Sequence, residues 1–431
     1  MTDRTWQLGI CGTFDVQNYG DLLFPPIAER ELSRRLGRVT LQRFSYGARK
    51  PPDWPYEVRS LSELPAAAPG LDGLLIGGGH LIRFDKQVAP GYSPLTPAIH
   101  HPTGFWLSPA LIALQSGVPV VWNAPGVHGE IPRWAEPLMR LAIGRSDYVA
   151  VRDEPSRRAL ARFADVSPIA CVPDTAFGVS SLVDLERPSP ERIRIRDQDG
   201  LRDRYVLLQA GAGLEPFLRL LRSHPDLVRG HQLLVLPIGP VHGEDASRFG
   251  RELPRAVRLL RWPRPLLLAE LIGGASAVVG ASLHLAITAL GFGVPVFRPA
   301  GVRGAKHAVL EEFETVTEFP SRGALDPQLF AERLGRVAPA PSARAAATRL
   351  ASHWDRVAEV LRARAGRPAS EARVGEFWQS LPNELESAAL RSSRFERPLA
   401  SLRASISWGV TAPLRLARRG LAGARALGGE K

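Results

Sequence analysis

LIGGASAVVGASLHLAITALGFGVPVF, residues 271 to 297, contains no Asp, Glu, Lys or Arg, and its reading decides the fold. A charge-free run of this length is long enough to cross a bilayer. Five glycines (Gly273, Gly274, Gly280, Gly291, Gly293), Pro295 and the polar Ser276, Ser282, His284 and Thr288 interrupt it, and spanning helices seldom carry such punctuation. The stretch reads better as a buried strand over SAVVGA, a turn, a helix over LHLAITALG closed by Gly291 or Gly293, and a further strand. Ser282 then stands at the helix N-cap and His284 in the first turn.

The same alternation runs through the rest of the chain. WQLGICGTF reads as a strand, NYGD as its loop and LLFPPIAERELSRRLG as a helix ending at Gly37. RVTLQRFSY, GLLIGG, VPVVWNAPG, YVAVRD and IACVPDTAF supply further strands, with helical stretches between them. Strands alternating with helices imply parallel pairing through crossover helices. Residues 184 to 204 (DLERPSPERIRIRDQDGLRDR) are polar, carry two prolines and read as a linker. The pattern then restarts with RYVLLQAGAG, HQLLVLPIGP, RAVRLLRW and SAVVGA. The expected fold is α/β, with two Rossmann-like parallel-sheet domains facing a cleft: residues 1–183, the linker 184–204, residues 205–340, C-terminal helices over 341–390 and a basic tail over 391–431. Open parallel sheets take ligands at the carboxyl ends of their strands, so the informative loops should face that cleft.

Charge bounds the partners. The 431 residues carry 55 Lys and Arg against 43 Asp and Glu, a formal net charge of +12. Only Lys50, Lys86, Lys306 and Lys431 are lysines, so the excess is scattered arginine rather than a nucleic-acid-binding face. More than half of it lies in residues 391–431, where nine basic residues face Glu396 and Glu430. Leu, Ile, Trp408 and Val410 among these charges fit peripheral contact with an anionic membrane; Pro413 and the glycines fit disorder equally well. Cys11 and Cys171 belong to no ligand pattern, and the N-terminus lacks the features of a signal peptide. A cytoplasmic location is therefore expected, with the tail as the place for membrane contact. His100 and His101 are adjacent while His128, His242 and His307 are isolated, so no metal site is expected.

Several loops carry residues suited to chemistry. Free N–H groups at the start of the His284 helix favour a phosphate or carboxylate, and an imidazole there can give or take a proton near neutrality. A half-buried histidine satisfied by a backbone carbonyl explains the position as well. Gly77, Gly78 and Gly79 directly follow a strand and let backbone approach a ligand, although tight turns use the same residues. Neither GAG nor GICG completes a dinucleotide fingerprint. In NYGD, Asp21 suits a helix cap and Asn18 a hydroxyl contact. Arg152 suits two-point contact with phosphate or carboxylate, or a salt bridge with Asp153 or Glu154. Asp174 serves either as a turn former or as an acceptor contact.

Taken together, NYGDLLF, LLIGGGHLI, VRDEPS, VPDTAF and GASLHLAITALGFGVPV resemble, in order and spacing, the polysaccharide pyruvyl transferase family over residues 8 to 297. The resemblance implies an architecture similar to the two-domain glycosyltransferases of GT-B type. It also implies transfer of the enolpyruvyl unit of phosphoenolpyruvate to sugar hydroxyls as a ketal, in bacterial exopolysaccharide or cell-surface glycan synthesis. The acceptor is then a sugar or glycan, lipid-linked in one version, with the acceptor on the first domain, phosphoenolpyruvate on the second, and no cofactor beyond that donor. By this pattern His284 is the catalytic histidine and Arg152 a phosphoenolpyruvate contact, with Asn18, Gly20, Asp21, Gly77, Gly78, Gly79, Asp174, Ser282, Leu283 and Arg298 completing the substrate site. One departure stands out: many members have arginine where this chain has Ser282. Arg298, Arg303 or Lys306, expected in the loop after the last strand, are the candidates to replace that charge. Two other readings use the same scaffold. One is a nucleotide-sugar glycosyltransferase, for which Glu311 and Glu312 offer the ribose contact; the other is a non-catalytic member of the fold.

Overall fold

The computed structural model describes residues 4–85, 101–164, 168–211, 213–300, 305–319, 326–365, 374 and 384–387. The tail over 391–431 and most of the segment beyond residue 365 lie outside them.

Among the described residues, nine strands and five helices build the first half: β1 (Trp6–Cys11), α1 (Tyr19–Leu36), β2 (Val39–Ser45), β3 (Arg59–Ser60), α2 (Leu64–Ala67), β4 (Gly73–Ile76), β5 (Ile82–Arg83), α3 (Leu107–Gln115), β6 (Val120–Trp122), β7 (Val127–His128), α4 (Glu136–Gly144), β8 (Tyr148–Val151), α5 (Glu154–Ala161) and β9 (Ala170–Cys171). Seven of the strands form one sheet in the order β3-β2-β1-β4-β6-β8-β9, every neighbouring pair parallel. Its central strands are buried on both faces, which is why GLLI and VVW carry no polar residue. β5 and β7 pair separately at the sheet's carboxyl edge.

The second half contains α6 (Pro190–Asp199), β10 (Tyr205–Gln209), α7 (Glu215–Ser223), β11 (Gln232–Leu236), β12 (Val257–Arg258), α8 (Pro265–Gly273), β13 (Ala277–Val279), α9 (Leu283–Gly291), β14 (Val296–Pro299), β15 (Val316–Phe319), α10 (Pro327–Arg333) and α11 (Pro341–Arg364). Its sheet runs β12-β11-β10-β13-β14-β15, again all parallel. The protein therefore has the expected α/β fold with two Rossmann-like parallel sheets. The charge-free run comprises the end of α8, then β13, α9 and the start of β14. No helix among the described residues is long and apolar enough to cross a membrane.

The segment 184–204 contains α6, capped by Ser189, opened by Pro190 and closed by left-handed Gly200. Two local expectations are corrected. α1 begins at Tyr19 with Asn18 at its N-cap, so Asp21 belongs to the first turn rather than the cap. Arg298 is not in a terminal loop but within β14, in register with Glu318 of β15, a strand that the sequence did not announce.

Both sheets reverse their winding beside the first strand, β1 in one and β10 in the other, and open α/β sheets bind ligands at such switch points. The loops leaving β1 and β4 meet those leaving β10 and β13. α1 holds the halves together: Tyr19 Oη and Thr288 Oγ1 of α9 share a hydrogen bond of 2.8 Å, and Tyr19 N–H donates to the Ile238 carbonyl at 3.2 Å. α11 returns from the second half to the first, where buried His353 bonds Asn123 and Tyr148. One apolar core accordingly includes residues of both halves, from Trp6 and Leu23 to Leu236, Ile287 and Leu361.

Candidate active site

A cavity of about 350 Å³ opens where the four switch-point loops converge. Asn18, Asp21, Gly78, His80 and Arg83 line it from the first half; Gln209, Gly239, Glu244, Ser282, Leu283 and His284 line it from the second, with Arg152 and His307 also reaching it.

His284 is placed by both halves. Ser282 caps α9 by accepting the Leu285 N–H at 3.4 Å, which sets the imidazole in the first helical turn. Gly20, in the first turn of α1, lies so close to the ring that a Cβ there would overlap it. Phe24, one turn further along α1, meets the ring edge-on at a centroid distance of 5.8 Å. The His284 side chain keeps 13% of its surface exposed, and its Nε2 lies 3.8 Å from Asp174 Oδ2. That separation is a charge contact rather than a hydrogen bond.

Asp174 sits behind the cavity wall, fully covered, and its carboxylate caps the turn Thr175–Leu182 by accepting the Ala176 N–H at 3.0 Å. It also accepts from Arg152 Nη1 at 3.1 Å. Burial alone raises its pKa, but the facing His284 ring and Arg152 guanidinium outweigh this and bring it down to about 2. Arg152 pairs chiefly with Asp174; the nearer sequence neighbours have other work. Asp153, 3.5 Å from Arg152 Nε, caps α5 through the Ser156 N–H at 2.7 Å, and Glu154 binds Arg157 and Arg158 on the surface. The Arg152 side chain is 1% exposed, yet its Nη2 has no hydrogen-bond partner. A buried, unpaired guanidinium N–H beside a cavity is suited to an incoming anion.

The glycines of the β4 loop bring α1 close. A Cβ on Gly77 would press on the Cys11 carbonyl, one on Gly78 on the Phe24 ring, and Gly79 has a φ of +80° with its Cβ position facing Asp21. Asn18 Nδ2 donates to Asp21 Oδ2 at 3.0 Å, fixing both at the cavity rim. Leu283 is buried as part of the wall. Arg298 is buried with its Nε 3.6 Å from Glu318 and is not among the lining residues. Glu312 pairs with Arg349 at 3.1 Å, and neither it nor Glu311 lines the cavity.

Gln209 and Glu244 escaped the sequence reading. Gln209 ends β10; its Oε1 accepts the Ser282 N–H at 2.8 Å, and its Nε2 donates to Glu244 Oε1 at 2.5 Å. Glu244 Oε2 accepts the N–H groups of Ile238 and Gly239 at 2.6 and 3.0 Å. The three loops after β10, β11 and β13 are thereby tied together directly beneath α9. A polar residue closing the apolar run YVLLQ was the available signal for Gln209; nothing local marked Glu244. Among the described residues no cluster of three or more His, Cys, Asp or Glu is arranged to hold a metal ion.

The polysaccharide pyruvyl transferase family model matches residues 18–298, spanning the loops just described from Asn18 to Arg298. The chain belongs to that family. Membership makes it a transferase and makes a sugar or glycan the class of acceptor. Nothing among the curated proteins matches the chain as a relative. Among solved structures, UDP-GlcNAc 2-epimerase from Methanocaldococcus jannaschii is similar at 10% identity over 81% of this chain and 100% of its own, with a TM-score of 0.50. A putative UDP-N-acetylglucosamine 2-epimerase from Listeria monocytogenes is similar at 11% identity over 81% and 96%, with a TM-score of 0.48. At 10% identity the likeness to the Methanocaldococcus jannaschii enzyme shows the fold alone: two parallel-sheet domains of GT-B type.

Proposed function

We propose that the protein transfers the enolpyruvyl unit of phosphoenolpyruvate to two hydroxyls of one sugar, forming a pyruvate ketal and releasing phosphate, with His284 as the acid–base residue. The chemistry balances in two additions. One sugar oxygen bonds to C2 of the donor while C3 takes up a proton and becomes a methyl group. The second sugar oxygen then bonds to the same carbon as the C2–O bond to phosphate breaks. Of the two hydroxyl protons, one balances that gained by C3 and the other leaves with phosphate.

His284 suits both proton steps, since a positioned imidazole serves as donor in one form and acceptor in the other. The Asp174 carboxylate opposes the positive charge that the ring carries while protonated. Arg152 Nη2 and the first-turn amides of α9 supply donors for the phosphate and carboxylate of phosphoenolpyruvate. Asp21 and Asn18 from the first half, with Glu244 from the second, offer acceptors and donors for sugar hydroxyls. Ser282 contributes no charge; Arg152 supplies a cation to this cavity.

The observation that carries this reading is the convergence of His284 with the unpaired, buried Nη2 of Arg152 on one cavity, in a chain of this family. The test incubates the full chain with phosphoenolpyruvate and a set of glycan acceptors, following phosphate release and acceptor mass. Phosphate release coupled to a pyruvate ketal on the acceptor is expected, together with a higher melting temperature in phosphoenolpyruvate. Stabilisation by UDP- or GDP-sugars instead, without phosphoenolpyruvate turnover, would move the protein to the glycosyltransferase reading. Any membrane contact of residues 391–431 is a separate proposal, tested by liposome sedimentation of the chain with and without them.

A further inference from the structure

Resting on that reading, we infer that Trp134 is the stacking platform of a second acceptor subsite, which takes a sugar ring of the glycan outside the catalytic cavity. Among the described residues Trp134 is the one aromatic among the large apolar side chains left exposed, at 54%. Its exposure is built in rather than frayed. The flanking Ile131 and Ala135 are buried, and the turn Arg133–Ala135 closes through Ala135 N–H to the Pro132 carbonyl at 2.9 Å. The indole is held nearly perpendicular to Phe84 and to His101, with centroid distances of 5.8 and 5.4 Å. Phe84 in turn meets the fully buried Trp106 at 5.3 Å, and the His101 ring is fixed by Thr103 Oγ1 at 2.7 Å.

The residues that hold the platform adjoin the catalytic cavity along the chain. Arg83, Pro102 and Phe105, neighbours in sequence of the two rings that hold Trp134, line the cavity wall. The cavity, about 350 Å³, is near the lower end of small-molecule sites, which span ~300–1,000 Å³. It suits the donor and the sugar being modified, so the remaining sugars of a glycan must lie outside. A pyranose presents C–H bonds on its faces and hydroxyls around its edge, which matches an exposed aromatic ring with a polar border. Arg83 and Asp85 provide such a border, joined by two hydrogen bonds of 2.9 and 2.5 Å and both partly exposed. A rigid, amphipathic aromatic is a low-entropy contact of the kind that concentrates binding energy.

The test measures binding of the full chain, without phosphoenolpyruvate, to a panel of trisaccharides built from glucose, galactose, mannose and N-acetylglucosamine, by saturation-transfer NMR. At least one trisaccharide should bind more tightly than its own terminal monosaccharide. For that ligand Trp134→Ala should weaken affinity roughly tenfold, equivalent to ~1.4 kcal/mol, while Trp134→Phe retains most of it. Equal affinity in wild type and Trp134→Ala, at unchanged melting temperature, overturns the inference, as does binding of no trisaccharide by the wild type. Because the measurement needs no turnover, these failures are distinct from an absence of phosphoenolpyruvate-dependent phosphate release, which would instead sink the proposed reaction.

Discussion

His284 and Gly20 come from opposite halves of the chain and occupy adjoining space, so the smallest side chain is required on one side for the ring to stand on the other. Gly20→Ala should displace the imidazole. Turnover should fall and unfolding free energy should drop by about 1–3 kcal/mol, as for other overpacked sites, read from urea titrations. An unchanged protein would mean that the ring does not occupy this position in solution. Asp174 makes a pH-dependent prediction. Its pKa is lowered on folding, so its stabilisation is complete above the unfolded value of about 3.9 and is lost as pH falls toward its folded value of about 2. Asp174→Asn should flatten stability across that window and, by removing the nearer of the two carboxylates facing Arg152, cost about 1.5–3 kcal/mol at neutral pH. At this scale the sequence disclosed His284, a lone polar side chain where an apolar helix begins. The Arg152–Asp174 pair was hidden because closer acidic neighbours competed on paper: Asp153 does face Arg152 at 3.5 Å, but the fold turns Glu154 to the surface and adds Asp174 at 3.1 Å.

α9 and α11 are each held by a buried polar contact that can be cut. Gln209→Ala removes the acceptor from the Ser282 N–H, a part-buried hydrogen bond worth about 0.5–1.5 kcal/mol; the melting temperature should fall and turnover with it, since the same bond places the first turn of α9. Loss of neither would show that the loop is held by other means. In α11, His353 Nε2–H donates to Asn123 Oδ1 and Nδ1 accepts from Tyr148 Oη, both at 3.2 Å. Burial pushes its pKa down to about 3, so the neutral ring stabilises the fold fully above its unfolded value of about 6.5. That contribution disappears as pH falls toward 3. Urea unfolding between pH 7 and 4 should show this loss in wild type and much less of it in His353→Gln. Element order and type were readable because period and punctuation agree along most of the chain. α6 shows the opposite case: Ser189, Pro190 and Gly200 spell a capped helix, but polar composition concealed it because only Ile195 is buried. β15 was missed because VTEF gains its identity from pairing with β14.

The molecule as a whole places its chemistry where two parallel sheets reverse direction toward one another. Sequence alternation is sufficient to suggest two such sheets; it does not reveal that their cores merge through α1 and α11, because that depends on contacts between residues hundreds of positions apart. The merged core predicts that the halves unfold together. Calorimetry should give a single transition, raised by phosphoenolpyruvate, whereas two resolved transitions would mean that the shared core adds little coupling. The central claim is that the His284 imidazole, seated at the start of α9 over a cavity shared by both halves, moves the protons of ketal formation. Its most direct test is the rate of phosphoenolpyruvate-dependent phosphate release by His284→Ala with a saturating sugar acceptor. The account predicts a fall of about 10²–10⁴-fold with the fold and phosphoenolpyruvate binding retained; a rate within a few-fold of wild type would contradict it.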